Sequence, residues 1–372
     1  MDYILYMLIV FFMAEILLAF IVYPMRHGQN YYSLMSGREG SAKLYQYDKE
    51  LGFSLRPNII YKNPSLPLEN APRRIMYGDM RTDKNGFVFT EDLDLLRKTE
   101  KLIFCLGAST TMGAESRHDH TYPSILDLKL KNYGYRCINS GVGGYCSVHE
   151  LLCLRKKILP YKPHAVILFS GYNDFETSAY NLCKPNDAFS HCLEHVLPTN
   201  AIEKVLHTTA TYHVVKRAIY FSMGKIRTES IPSSFVENLN NVLSSQAWLE
   251  GWKTNIGQFI DECNENKIKC FLLSHASPCF ENASDEAKEF SNKDLNMNNR
   301  FDCFVKYLAI IHNATISLCD KKGAHFIDVR DAFDKLSPFQ KRFSLFVDRV
   351  HFTEEGNALL ADSIFQKIKG VL

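Results

Sequence analysis

Net charge is what this 372-residue chain has least of: 43 lysines and arginines against 41 aspartates and glutamates leave a formal charge of +2. So even a balance offers no electrostatic case for a nucleic-acid partner, which would call for a basic face. Internal repeats and low-complexity tracts are absent, so neither a solenoid nor a disordered array is indicated. The eleven cysteines form no Cys/His grouping with zinc spacing, so no metal and no cofactor are expected. The N-terminus lacks the basic residues and the small-x-small site of a cleavable signal peptide. With 46% hydrophobic and 23% charged residues, the composition is that of one large globular core with an appended piece.

One long apolar run is present. Tyr3 to Tyr23 reads YILYMLIVFFMAEILLAFIVY, broken only by Glu15 and followed by Pro24 and Arg26. As a helix it would rise about 30 Å, the thickness of a bilayer core. The expectation is a single transmembrane anchor over residues 1–24. Glu15 is costly in lipid; it is either protonated there or in contact with a partner helix. Arg26, Arg38 and Lys43 follow the run and only Asp2 precedes it, which by the positive-inside rule places the large domain in the cytoplasm. The cysteine content also fits a reducing compartment. Cys105, Cys270 and Cys303 lie in apolar runs and read as buried thiols, whereas Cys183 and Cys192 sit in a polar stretch and could pair in an exported domain.

Residues 25–100 are mixed, with Arg-Pro-Asn and Asn-Gly turn signals, and read as an irregular or β-containing lead-in packed on the main domain. From residue 101 to 372 the pattern is regular. The strands KLIFCL, YRCIN, AVILFS, KIKCFLLS and AHFIDV alternate with helical stretches. These are YPSILDLKLKNYG, VHELLCLRKKILP, QAWLEGWKTNIGQFIDECNEN, FDCFVKYLAIIHNATISLCDKKG and TEEGNALLADSIFQKI. Residues 176–245 form a polar insertion, helical in part. This alternation predicts an α/β fold with a parallel sheet covered by helices on both faces, whose sites gather at the carboxyl ends of the strands.

Four segments share that edge. Gly107-Ala108-Ser109-Thr110 follows the first strand, and Asn139 to Gly144 (NSGVGG) follows the second. Gly171-Tyr172-Asn173-Asp174 follows the third, and Asp348-Arg349-Val350-His351 precedes the last helix. Each alone has an ordinary reading: helix cap, turn glycines, Asx-turn, surface histidine. Together, G-x-S, N-x-G-x-x-G, G-x-N-D and D-x-x-H in this order resemble the SGNH hydrolase superfamily, the GDSL-type esterases and lipases. The resemblance covers residues 100–372. It implies a three-layer, flavodoxin-like sheet with Ser109, His351 and Asp348 as nucleophile, base and acid. It implies an oxyanion hole made by the backbone N–H groups of Ser109 and Gly144 and the side-chain amide of Asn173. The aspartate of the GDSL block is missing here; it is not the triad acid, and its loss removes only a local hydrogen-bonding group.

The residue types suit that chemistry. A serine hydroxyl needs a base within hydrogen-bond reach. Imidazole titrates near neutral pH and needs an orienting acceptor on its other nitrogen. Positions three apart are neighbours on one helical turn, so D-x-x-H can join carboxylate and imidazole locally. Asn173 supplies a neutral donor. His275 and Asp174, with Ser277, are substrate-side candidates by position. His118 and His120 read as a solvated loop, and Trp248 and Trp252 as a core stripe.

The expectation is a membrane-anchored serine esterase that removes acyl groups, acetyl foremost, from a carbohydrate or related ester through an acyl-serine. The resemblance also implies an extracytoplasmic domain acting on envelope polysaccharide, against the charge and cysteine evidence. The alternatives are an O-acyltransferase with the same triad, a lipase, and a non-catalytic glycan-binding scaffold.

Overall fold

The computed structural model describes residues 2–22, 44–61, 80–89, 91–179, 233–245, 247–295 and 300–372. Its centre is a five-stranded parallel sheet in which β5 (Lys101–Gly107) lies between β6 (Tyr135–Asn139) and β7 (Ala165–Phe169). β8 (Lys269–Leu273) and β9 (His325–Ile327) continue the order to one edge. All five expected strands are present.

Strand side chains alternate between two apolar cores because successive residues point to opposite faces. Leu102, Phe104, Leu106, Val166, Leu168, Cys270 and Leu272 face one core; Ile103, Cys105, Ile167 and Phe271 face the other. The first core is covered by α4 (Ser147–Cys153), α6 (Ala247–Glu265) and α7 (Phe301–Lys322). The second is covered by α3 (Tyr122–Leu130) and α8 (Glu354–Ile368). Helices therefore lie on both faces, and the short α2 (Ser109–Met112) and α5 (Tyr172–Ala179) begin just past the carboxyl ends of β5 and β7.

The lead-in forms two hairpins: β1 (Tyr45–Asp48) with β2 (Gly52–Leu55), and β3 (Ile60–Tyr61) with β4 (Met80–Arg81). It packs into the first core through Tyr45, Phe53 and Phe87. A bridge from Val88 to Asn139 and a bond from Tyr145 OH to Phe53 O (2.8 Å) tie it to the end of β6 and to the loop that follows. The buried Arg136 guanidinium joins Asp127 of α3 at 2.9 Å and also Glu91 of the lead-in.

The N-terminal apolar run is helical, but as α1 (Asp2–Leu17) followed by a π-helical turn at Leu18–Val22. The sixteen α-helical residues rise about 24 Å, and the five of the π-helical turn extend the segment further. No helix among the described residues is long and apolar enough to cross a membrane. Tyr6, Phe12 and Met13 are well exposed on it, while Glu15 is buried. Of the expected insertion, α5 enters it and a helix at Ser233–Ser245 closes it. Residues 180–232, with Cys183 and Cys192, lie outside the described residues. The nine cysteines that are described are buried free thiols.

Candidate active site

The turn after β5 depends on Gly107. Its φ is 150°, and a Cβ there would lie 2.3 Å from Thr111 Oγ1 and 2.6 Å from Phe169 O. Only glycine permits that approach, and the chain then enters α2 with Ser109 at its first residue. Gly141 lets the loop after β6 close on the same turn, since a Cβ would meet Met112 N at 2.3 Å.

His351 arrives from the opposite end of the domain. Its Nε2 is 2.8 Å from Ser109 Oγ, and its Nδ1 is 2.8 Å from Asp348 Oδ2. The Asp348–His351 neighbourhood is not a helical turn, because α8 starts only at Glu354. It is a tight loop closed by the carboxylate itself: Asp348 Oδ1 accepts the backbone N–H groups of Val350 and His351, both at 2.8 Å. Aspartate can close such a loop because its short side chain reaches the backbone two or three residues on. One oxygen fixes the loop and the other fixes the ring.

Burial works against charge at both groups. At Asp348 it is outweighed by the His351 ring, by Arg349 and by the Val350 N–H, which hold the carboxyl well below its usual range. At His351 burial disfavours the imidazolium, but the Asp348 carboxylate prevails and the pKa is raised above 6.5. A pair so arranged can take a proton from Ser109 and hold it on imidazole.

A small cavity of about 20 Å³ opens beside Ser109 and is also lined by Asn173, His275 and Tyr307. Asn173 Nδ2 donates to Tyr145 O at 2.8 Å, which sets the plane of the amide against the cavity. Gly144 occupies the left-handed region (φ 87°), and its neighbour Tyr145 lines the cavity.

A serine hydroxyl, an imidazole and a carboxylate in hydrogen-bonded sequence form the constellation of acyl transfer, and the family comparison agrees. Residues 105–359 match the GDSL-like Lipase/Acylhydrolase family. The chain belongs to that family. As a GDSL-like acylhydrolase it is an ester hydrolase by membership. No curated protein matches it. Among solved structures it is similar to an acetyl xylan esterase (18% identity, 72% of this chain and 99% of that one, TM-score 0.41). It is also similar to a catalytic mutant of an acetylxylan esterase from Geobacillus stearothermophilus (14% identity, 72% and 94% coverage, TM-score 0.41). A third is an acylhydrolase, described as putative, from Bacteroides fragilis (16%, 75% and 94%, TM-score 0.39).

The other expected site residues divide within this acylhydrolase. His275 lines the cavity, donates from Nε2 to Ser170 O at 2.7 Å, and is pushed down by burial to about 4, so it is neutral at pH 7. Ser277 also lines it, donating to Arg349 O at 3.0 Å. Asp174 does not face the cavity. Its carboxylate accepts from Ser147 N at 3.0 Å and Ser147 Oγ at 2.5 Å, joining α5 to the start of α4, and burial pushes it up to about 6. It is an internal tie between helices. His120 is engaged by Glu354 at 3.3 Å, away from the cavity, and Trp248 and Trp252 are buried core residues. Among the described residues, no group of three His, Cys, Asp or Glu side chains could hold a metal ion.

Sequence reasoning missed Arg349. It lies inside the D-x-x-H motif as a variable letter, yet Nε donates to Tyr172 OH at 2.6 Å and Nη2 to Glu176 Oε1 at 2.5 Å. It thereby joins the triad loop to the helix that carries Asn173. Glu150 and Tyr307, which line the cavity, were missed as well. Tyr307 occupies an apolar-face position of α7 and resembles any core aromatic in sequence.

Proposed function

We propose that this protein is a serine esterase that removes acyl groups, acetyl foremost, from a carbohydrate or related ester. The observation that carries the reading is the unbroken chain Asp348–His351–Ser109, with 2.8 Å at each link. Ser109 Oγ attacks the ester carbonyl while His351 takes its proton, and Asp348 holds the imidazolium in place. The developing oxyanion is received by the backbone N–H groups of Ser109 and Gly144 and by the Asn173 amide. The tetrahedral adduct collapses as His351 returns the proton to the leaving alcohol. Water, activated by the same imidazole, then releases the acid.

We assign residues 1–24 to a membrane anchor. The exposed apolar side chains of α1 and the turn after it support this, because Tyr6, Ile9, Phe12, Met13, Ile16 and Phe20 are ill suited to water. We put the catalytic domain, residues 101–372, on the extracytoplasmic side by analogy with anchored members of the family, where acylated polysaccharide would be met. A topology reporter at the C-terminus tests the side, and reporter activity confined to the cytoplasm would reverse it.

The catalytic test is hydrolysis of a chromogenic acetate ester by the full chain, together with fluorophosphonate labelling. Wild type is expected to hydrolyse the ester and to be labelled at Ser109, and Ser109→Ala to lose both. Equal rates for the two proteins would defeat the esterase reading.

A further inference from the structure

The cavity beside Ser109 is lined in part by fully buried side chains. Its volume of about 20 Å³ is room for roughly one water molecule or one methyl group. Ser109 and Asn173 are partly exposed, whereas Glu150 of α4 and Tyr307 of α7, which line the same space, are almost wholly buried. Depth therefore runs from the nucleophile toward these two side chains.

Tyr307 has little freedom to move aside. Its ring stacks on Phe175 (4.7 Å, 17° between planes) and is flanked by Trp248 at 5.6 Å and Phe304 at 5.6 Å. Tyr172 at 6.2 Å and His275 at 5.9 Å complete the surround. Glu150 Oε2 and Tyr307 OH are both buried without a hydrogen-bond partner among the described residues. Burial, reinforced by the nearby Asp174 carboxylate, holds the Glu150 carboxyl well above its usual range against a bond from Ser170.

We propose that this chamber receives the alkyl end of the acyl group and that Tyr307, with Glu150, closes it at the length of an acetyl. This rests on the esterase reading and goes beyond it by naming what sets the acyl length. A methyl group occupies the available room. A longer chain would have to displace a ring wedged among five aromatic neighbours, and its methylenes would be pressed against two polar groups that then have no water to bond. One methylene misfitted to a pocket is worth roughly 10- to 200-fold in discrimination.

The experiment is a chain-length series of p-nitrophenyl acetate, butyrate and octanoate with the full chain, reading kcat/KM for each. Wild type is expected to prefer acetate over butyrate by at least about tenfold. Tyr307→Ala is expected to shift that ratio toward butyrate by about tenfold or more, and Tyr307→Phe, which keeps the ring, to retain the acetate preference. Should Tyr307→Ala fail to fold, Leu308→Ala trims a partly exposed wall of the same chamber and is expected to shift the ratio in the same direction. Ser109-dependent hydrolysis with a flat profile, or a profile that neither truncation alters, overturns the chamber while leaving the esterase standing. Hydrolysis of no ester, or hydrolysis indifferent to Ser109→Ala, overturns the esterase and the chamber with it.

Discussion

His351 Nε2 lies 2.8 Å from Ser109 Oγ although 242 residues separate them in the chain. The two are joined because each ends a segment at the carboxyl edge of the sheet. Ser109 follows β5 directly, and His351 sits in a loop that its own aspartate ties. The position of the base therefore depends on the Asp348 carboxylate twice, through the ring nitrogen and through two backbone N–H groups.

The first prediction concerns pH. His351 must be neutral to act as base, and Asp348 raises its pKa above 6.5. The acid limb of kcat/KM should therefore have its midpoint above 6.5 and fall as His351 is protonated. In Asp348→Asn the carboxylate is gone but the burial remains, so the midpoint should move below that of wild type while the rate drops by about 10⁴-fold. Residual hydrolysis against pH, or NMR titration of the His351 ring, measures the shift. An unmoved midpoint would show that the carboxylate does not control the base.

The second concerns the oxyanion. Asn173 is held by Tyr145 O at 2.8 Å. Asn173→Ala removes a donor without touching the triad, and kcat should fall about 10²- to 10³-fold with KM little changed. A change confined to KM would make Asn173 a substrate-binding residue and remove it from the oxyanion hole.

How far the sequence revealed this site can be read from single residues. The five strands were legible because short β-branched and apolar runs bounded by glycine and polar residues have few other readings. That Ser109 would meet His351 and share a cavity with Asn173 was legible because their motifs recur in order at one sheet edge. The Asp348–His351 contact was foreseen, but its form was not. Three-residue spacing serves a helical turn and an aspartate-closed loop equally well, and only the two backbone bonds to Asp348 Oδ1 separate them. Asp174 was misplaced because position after a strand says nothing about which way a side chain turns; here the buried N-terminus of α4 drew it inward. The helix at Asp285–Asp294 was also missed: it is mostly polar, and its local signals are the Ser284 cap on Ala287 N, acidic Asp285 and Glu286 in the first turn and Lys293 in the last. Arg349 bonds and Tyr307 packs across distant segments, which no local pattern encodes.

The third prediction follows from Arg349. It ties the triad loop to α5 through Tyr172 and Glu176. Arg349→Met keeps much of the stem but leaves Glu176 without its cation and the loop without its tether. kcat should fall by about tenfold or more, since small misplacement of catalytic groups is costly. Arg349→Lys should recover only part of the loss, because one ammonium cannot reproduce the guanidinium fork. Fluorophosphonate labelling of Ser109 should slow in parallel. Full activity in the methionine variant would make the tether dispensable.

The last prediction concerns Asp174 and stability. Its carboxyl is pushed up from 3.8 to about 6, chiefly by burial, despite the bonds from Ser147. The sign follows from linkage. Between 3.8 and about 6 the folded state binds more protons at this site than the unfolded chain, so stability falls as pH rises through that window and levels off above it. The shift corresponds to about 3 kcal/mol at neutral pH, an order-of-magnitude figure. Asp174→Asn carries no charge at any pH, yet its amide can still accept from Ser147 N and donate to Ser147 Oγ. The variant should therefore be more stable than wild type at pH 7, by up to about that amount, and should match it more closely at pH 4. Urea unfolding at pH 4, 5.5 and 7 gives the comparison. A wild-type advantage that grows with pH would mean that the charged carboxylate is stabilised in the fold, and that burial is not the force that sets its pKa.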